Sequence, residues 1–374
     1  MKIVIPKETH QGERRAAFIP ASIAKLTKRG AEIEVESGAG QTLGIPDDAY
    51  AAAGAKVVGD RNAMLGSADM ILRLRKPSLD EVNVYREGSI LVSHLDPFNS
   101  SDLIRRLEEK KISAICMEMI PRSTRAQKMD VLSSQANLAG YVAVVIAAEQ
   151  LNRIFPMMTT AGGTIQAAQV FIIGAGVAGL QAIATAKRLG ARVEAFDTRP
   201  IVEEQVQSLG AKFVKIDIGE TGQTKEGYAK ALTEEQLAMQ REGMKKICAH
   251  SDVVISTAQV FGRKAPRIIT GDMIDVMKPG SIVVDLAVES GGNVEGSVLG
   301  QIVEKNGVKI VGLENLPGRV AVHATQMYST NLYNLIDEFW NKEGKKFDLK
   351  LDDDIIQGAL VTHDGKILKD NLGK

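Results

Sequence analysis

The amino-acid sequence predicts an α/β protein made of two Rossmann-like, doubly wound parallel-sheet domains with a cleft between them. Three observations lead there. The chain has 374 residues, whereas one compact domain usually takes roughly 100 to 200. Short β-rich runs alternate with amphipathic helical ones along most of its length, the pattern of a parallel sheet covered by helices. The stretch GAGVAGL, residues 174–180, lies between a strand-like run, QVFII, and a helix-like one, LQAIATAKRLG. That is the setting in which a glycine turn meets a dinucleotide.

The first series alternates in order: KIVIP, PASIAKLTKRG, AEIEVES, DDAYAAAGAKVV, ADMILRLR, SILVSHL, DLIRRLEEKK and SAICMEM. VLSSQANLAGYVAVVIAAEQL then reads as a long helix with small residues along one side, and it marks the domain boundary. A polar, glycine-rich patch, TTAGGTIQ, leads into a second series: AQVFIIG, GLQAIATAKRLG, ARVEAFD, PIVEEQVQSLG, AKFVKID, a long polar loop, EEQLAMQREGMKKICAH, SDVVIST, SIVVDLA and VKIVG. Its strands are nearly continuous apolar runs, as expected of strands buried on both faces. Residues 324–340 read as a helix that returns to the first domain. The expected domains are therefore 1–134 plus 324–374, and 135–323.

Composition narrows the function classes. With 46 basic and 46 acidic residues there is no field of one sign to gather nucleic acid or anionic lipid. Cys116 and Cys248 lie far apart and outside any CxxC pattern, so reduced thiols in a cytoplasmic setting are expected. His10, His94, His250, His323 and His363 are equally scattered, and no metal is expected. The N-terminal MKIVIPKETHQGERR lacks the apolar core of a signal peptide. No run of about 18 apolar residues occurs, so no direct membrane insertion is expected.

In the turn, Gly174 permits the tight bend, Gly176 lets backbone approach a pyrophosphate, and Gly179 allows close helix packing, with Val177 opening the helix. The next strand, RVEAF, ends in Asp197, whose carboxylate is placed to accept hydrogen bonds from adenosine ribose hydroxyls and to repel a 2′-phosphate. NAD(H) is the expected cofactor. Arg199, following Thr198, leaves NADP(H) open as the alternative.

The opening IPKETHQGERRAAFIP, the pair ADMILRLRKP and REGSILVSHLDP, the turn GAGVAGL, and MKPGSIVVDLAVESGGNVEGS together resemble the alanine dehydrogenase and nicotinamide nucleotide transhydrogenase superfamily over essentially the whole chain. Its two branches differ in chemistry. Oxidising an amine calls for proton shuttling, and the dehydrogenase branch supplies a lysine and a histidine in the first domain. Here Arg75 takes the lysine's place, and arginine does not deprotonate usefully near neutral pH. Asp96 stands at the histidine position, with His94 two residues away. Arg15 remains, able to hold an anion.

PRSTRAQKMDVLSSQANLAGY, residues 121–141, resembles the nicotinamide-side loop of the NAD(H)-binding component of proton-translocating transhydrogenase. By this resemblance Arg122, Ser123, Thr124 and Arg125 line the nicotinamide nucleotide, Gln127 bridges toward a nucleotide on the partner, and Asp130 and Ser133 orient the dihydronicotinamide. From the residues alone the same stretch reads as a capped helix start, with Asp130 or Ser133 as the cap. The loop after Asp217 is long enough to be a lid. The resemblance places Gly227 and Tyr228, in a G-Y-A-K segment, over the bound nucleotide, and Gln259 near the adenosine. His323 reads as a polar residue at a helix start, and residues 352–354 as a solvated acidic face or linker.

The resemblance implies hydride transfer from NADH to NADP⁺ held on a partner, coupled to proton translocation. It further implies a homodimer docked on NADP-binding and membrane-spanning components, peripheral on the cytoplasmic face of the inner membrane. The terminal VTHDGKILKDNLGK matches the end of that component, where a connector to the membrane part is expected. Two alternatives are an alanine dehydrogenase-like amino-acid oxidoreductase and a regulatory module that binds NAD without chemistry.

Overall fold

The computed structural model describes residues 1–219 and 232–373. The chain divides into two compact units, Met1–Gln135 with Gly318–Lys374, and Ala136–Pro317.

The first unit is built on one sheet. Its strands lie in the order Lys366–Ile367, Leu360–His363, Ser113–Cys116, Ile90–Ser93, Met70–Leu72, Lys2–Ile5, Glu32–Glu36 and Lys56–Val58. The six strands from Lys56–Val58 to Ser113–Cys116 are parallel. Numbered along the chain, their order is 3-2-1-4-5-6, the order of dinucleotide-binding sheets. Leu360–His363 and Lys366–Ile367 add an antiparallel hairpin at one edge. Because side chains alternate along a strand, Ile3 and Ile5 face a core with Phe18, Leu26, Tyr50 and Leu332, while Val4 faces Leu65, Ile104 and Leu107 on the other side. Helix starts follow local chemistry. Ser78 and Glu81 form a reciprocal capping box, and the carboxylates of Asp60 and Asp353 cap two further helices.

The second unit repeats the plan. Its sheet runs Lys212–Phe213, Arg192–Phe196, Gln169–Ile173, Val253–Ser256, Ile282–Asp285, Val308–Gly312 and Gln301–Lys305. All pairs are parallel except the last, which is antiparallel. Phe171, Ile173, Val254 and Val283 join Met244, Ile247 and Met273 in one buried cluster. The run AKFVKID contributes only the two-residue edge strand Lys212–Phe213, since a strand alternating lysine with apolar residues suits an edge better than a doubly buried position. TTAGGTIQ falls within an exposed antiparallel hairpin, Met158–Thr160 with Gly163–Ile165, rather than a plain linker.

The long helix is Val131–Gln150. Its 20 residues, with a mean hydropathy of 1.5 over an 18-residue window, would suffice by length and composition to cross a bilayer. Counting only unbroken apolar runs overlooks it. Buried Ala143, Val144 and Ala147 are what a core helix requires.

Candidate nucleotide-binding site

Strand Gln169–Ile173 ends at Gly174, whose φ is +91°, a left-handed conformation that side chains disfavour. Gly179 answers a different need. A Cβ there would lie 1.8 Å from the Gly174 carbonyl oxygen, so the helix Val177–Arg188 rests directly on the turn. Gly176 is different again, because a Cβ built on it would meet nothing within 4 Å. Its backbone has ordinary extended angles, and the space above it matches the approach expected of a pyrophosphate. Val177 is 41% exposed on the same first turn. Thr257, at the end of the neighbouring strand, donates its hydroxyl to the carbonyls of Ile173 and Gly174 at 3.2 and 3.0 Å. The turn therefore sits at the carboxyl ends of two adjacent strands, where the strand order reverses and ligands bind in such sheets.

Two supports were not legible in the sequence. Gly140, on the long helix, crosses the start of Val177–Arg188 so closely that a Cβ would fall 2.1 Å from the Ala178 carbonyl oxygen. Its only signal was the row of small residues around it. Asn293, fully buried, donates its amide to the carbonyls of Ala258 and Pro266 at 2.9 Å and accepts from Ser256 at 3.0 Å. Asp285 gathers the amides of Ala287, Asn293 and Val294. These bonds shape the segment beside Gln259, whose side chain donates to Ser290 Oγ at 3.2 Å.

Asp197 is held from several directions. Its Oδ2 accepts from the Ala175 amide at 2.8 Å, tying the carboxylate to the glycine turn. Arg199 wraps around it with its backbone N–H and Nε on Oδ1, at 2.8 and 2.9 Å, and Nη2 on Oδ2 at 2.7 Å. Thr198 lies between them, half-buried. Gly227 and Tyr228, the expected lid, lie outside the described residues.

In the first unit, residues 122–130 form a tethered loop. Buried Ala126 and Met129 anchor it, with a 3-10 turn over Gln127–Met129. The side-chain amides of Asn331 and Asn334 both donate to the Lys128 carbonyl at 2.9 Å, and Lys128 Nζ reaches Glu338 at 2.6 Å. Arg122, Thr124 and Gln127 are exposed, and Ser123 Oγ is buried without a hydrogen-bond partner. Asp130 caps the long helix, accepting from Ser133 N–H at 2.9 Å and Ser133 Oγ at 2.7 Å. Arg125 bonds Asp353 at 2.5 Å and also pairs with Asp354. The acidic run 352–354 is thus more than a solvated face: Asp353 caps the helix Asp354–Ala359 and, with Asp354, holds Arg125.

The other positions that separate the two branches carry charged networks. Arg15 clasps Glu13 side-on through Nε and Nη2 at 2.8 and 2.7 Å and donates Nη1 to Gln135 at 2.8 Å. Arg75 Nε donates to the same Glu13 at 2.8 Å. Burial pushes the Glu13 carboxyl up, but the hydrogen bonds and charges of Arg15 and Arg75 outweigh it and hold the pKa at about 2. Asp96 accepts from Lys76 at 3.2 Å and Asn99 at 2.8 Å. His94 stacks on Tyr328, with Nδ1 3.5 Å from Glu118. Arg73, which the sequence did not single out, is fully buried and donates to Glu81 and Tyr85 at 3.0 and 3.2 Å.

Comparison with known proteins sorts these features. Residues 4–139 match the family model described as alanine dehydrogenase/PNT, N-terminal domain, and residues 143–370 the C-terminal domain model. The chain is 46% identical, over 98% of both chains, to the first of the separate polypeptides that make up NAD(P) transhydrogenase subunit alpha of Rhodospirillum rubrum. It is 31% identical, over 79% of its own length and 75% of the relative's, to alanine dehydrogenase of Mycobacterium tuberculosis. Among solved structures, a transhydrogenase from Sinorhizobium meliloti superposes with a TM-score of 0.89 at 43% identity, covering 98% of this chain and 100% of that one.

Proposed function

Because this chain belongs to the alanine dehydrogenase/PNT family, we propose that it is the NAD(H)-binding component of a proton-translocating nicotinamide nucleotide transhydrogenase. It passes hydride from NADH to NADP⁺ held on a partner subunit, and the exchange is coupled to proton movement through the membrane-spanning components. The observation that carries this reading is the pair Arg75 and Asp96, standing where amine oxidation calls for a lysine and a histidine. Arg75 is committed to Glu13, and Asp96 to Lys76 and Asn99.

Hydride transfer between two nicotinamides needs neither acid nor base. The C4–H bond of NADH breaks with its electron pair, a C4–H bond forms on NADP⁺, and no proton is released or consumed. What the protein must supply is approach to roughly 3 to 3.5 Å with the rings aligned. Arg122, Ser123 and Thr124 contact the nicotinamide nucleotide in this reading, Asp130 and Ser133 orient the dihydronicotinamide, and the exposed Gln127 reaches toward the partner's nucleotide. Gly174, Gly176, Val177 and Gly179 receive the pyrophosphate, Asp197 the adenosine ribose, and Gln259 the adenosine side. Thr198 and Arg199 border that ribose. Tyr228 and Gly227 act as a lid.

The component works as a homodimer, peripheral on the cytoplasmic face of the inner membrane through its partners. Support for pairing comes from the second unit's exposed hairpin, with Met157 60%, Met158 46% and Ile165 48% exposed. It stands next to a hollow of about 880 Å³ lined by Leu151, Ile154, Phe155 and Leu189. Light scattering on the purified chain checks the dimer, and a monomer at micromolar concentration counts against it.

Mixing the purified chain with an NADP-binding component and following reduction of an NADP analogue by NADH tests the central reading. No transfer under conditions where both nucleotides bind would sink it. The second reading, an alanine dehydrogenase-like oxidoreductase, draws on the mycobacterial relative. Robust NAD-dependent turnover of alanine by the isolated chain would favour it.

A further inference from the structure

The carboxylate expected to select NAD(H) has its acceptor capacity taken up. An ionised aspartate offers about four lone-pair sites. Oδ1 of Asp197 accepts from Arg199 N–H and Nε, and Oδ2 from Ala175 N–H and Arg199 Nη2, at 2.7 to 2.9 Å. Two of these donors are backbone amides fixed by the turn and the strand end. The other two belong to one guanidinium in side-on, forked geometry, the strongest form of the arginine–carboxylate pair. A ribose diol can therefore reach Asp197 only by replacing the guanidinium.

We infer that Arg199 is a specificity-determining residue that competes with the adenosine ribose for Asp197 and, once displaced, offers its fork to a 2′-phosphate. The inference rests on the reading that Asp197 meets the adenosine ribose. Local structure makes the exchange feasible. Pro200 follows Arg199 and confines its backbone to the extended region, where it sits at φ −93° and ψ 111°. The backbone amide thus stays on Asp197 while the side chain turns about its own bonds. With the guanidinium on Asp197 the charge that would repel a 2′-phosphate is neutralised; with it turned away, a bidentate phosphate partner stands beside the ribose. Discrimination against the phosphorylated nucleotide is weaker than a lone aspartate would give.

The test is calorimetric titration of the full chain with ADP-ribose and with its 2′-phosphate, which reads the adenosine end without hydride transfer. In Arg199→Ala and in the near-isosteric Arg199→Gln, ADP-ribose should bind tighter and its 2′-phosphate weaker. The affinity ratio should rise by about tenfold or more. Variants that keep the wild-type melting temperature and leave the ratio unchanged, or lower it, overturn the inference. Gly176→Val separates this from failure of the underlying site, because its side chain enters open space and obstructs only the approach of a pyrophosphate. If folded Gly176→Val binds ADP-ribose as well as the wild type, the nucleotide site itself is misassigned, and the Arg199 inference falls with it.

Discussion

At the scale of single residues, glycines that look alike in the sequence answer to different forces. The GxGxxG spacing made Gly174, Gly176 and Gly179 legible, because the motif encodes a local turn. Gly140 was not legible, since its reason is a neighbour far along the chain. Gly140→Ala puts a methyl 2.1 Å from a backbone oxygen that cannot retreat without moving a helix. Overpacking of this kind costs about 1 to 3 kcal/mol, so a clear drop in melting temperature is expected, accompanied by weaker NADH binding because the displaced helix carries the turn. Equal stability of Gly140→Ala and wild type would show that the crossing is loose. The cysteines give another residue-scale expectation. Cys116 is fully buried and donates to Glu118 at 2.9 Å, while burial raises the Cys248 thiol to about 12. Both thiols are therefore protonated at neutral pH and should resist alkylation until the chain unfolds. Rapid labelling of the native protein would contradict that.

At the scale of elements, the alternation of runs sufficed to foresee most strands and helices, because strands buried on both faces and helices buried on one leave different periodicities. What it could not reveal is how residues 122–130 are held. The sequence assigned Arg125 to the nucleotide, whereas its guanidinium bonds Asp353 and pairs with Asp354. Those partners lie more than two hundred positions away, and no local pattern announces them. Arg125, with Asn331 and Asn334 on the Lys128 carbonyl, fastens the loop from behind and leaves Gln127 outward. Exposed ion pairs stabilise a fold only weakly, so Arg125→Ala should barely move the melting temperature. Hydride transfer depends on placement within fractions of an ångström, so the same variant should slow it by about tenfold and change NADH affinity less. Arg125→Lys, keeping one charge, should recover part of the rate. Loss of NADH binding equal to the loss of rate would instead return Arg125 to direct nucleotide contact.

At the scale of the whole molecule, two sheets share one strand order, and each places its charged or glycine-rich segments at the carboxyl ends of its central strands. In the first unit that position holds Glu8, Glu13, Arg15, Arg73 and Arg75, a network invisible to sequence reading because its members come from separate segments. It has a consequence for acid stability. Burial raises each of Glu13, Glu81 and Glu118, but in each case the favourable partners prevail and the carboxyl titrates at about 2: Arg15 and Arg75 for Glu13, Arg73 and Arg61 for Glu81, and His94 with Cys116 and the Asp96 amide for Glu118. A carboxyl whose pKa is lower folded than unfolded contributes stability that is complete above the unfolded value, 4.5, and is lost as pH falls toward 2. Glu8 works in the opposite sense, since burial outweighs Arg73 and raises it, so it offsets part of the loss. Three lowered groups against one raised group fix the net sign: the unit should lose stability steadily below about pH 4.5. Trp340, the single tryptophan, is buried in the core of this unit, and its fluorescence follows that unit's unfolding. Its melting temperature should therefore fall on acidification from pH 5 to pH 3 and stay level from pH 6 to pH 8. Glu13→Gln removes the shared partner of Arg15 and Arg75 and should cost about 3 to 5 kcal/mol, as expected when one member of a buried ion pair is lost. It should also flatten the acid slope, because one of the three lowered carboxyls no longer titrates. A variant that is destabilised yet keeps the wild-type slope would place the acid sensitivity elsewhere in the molecule.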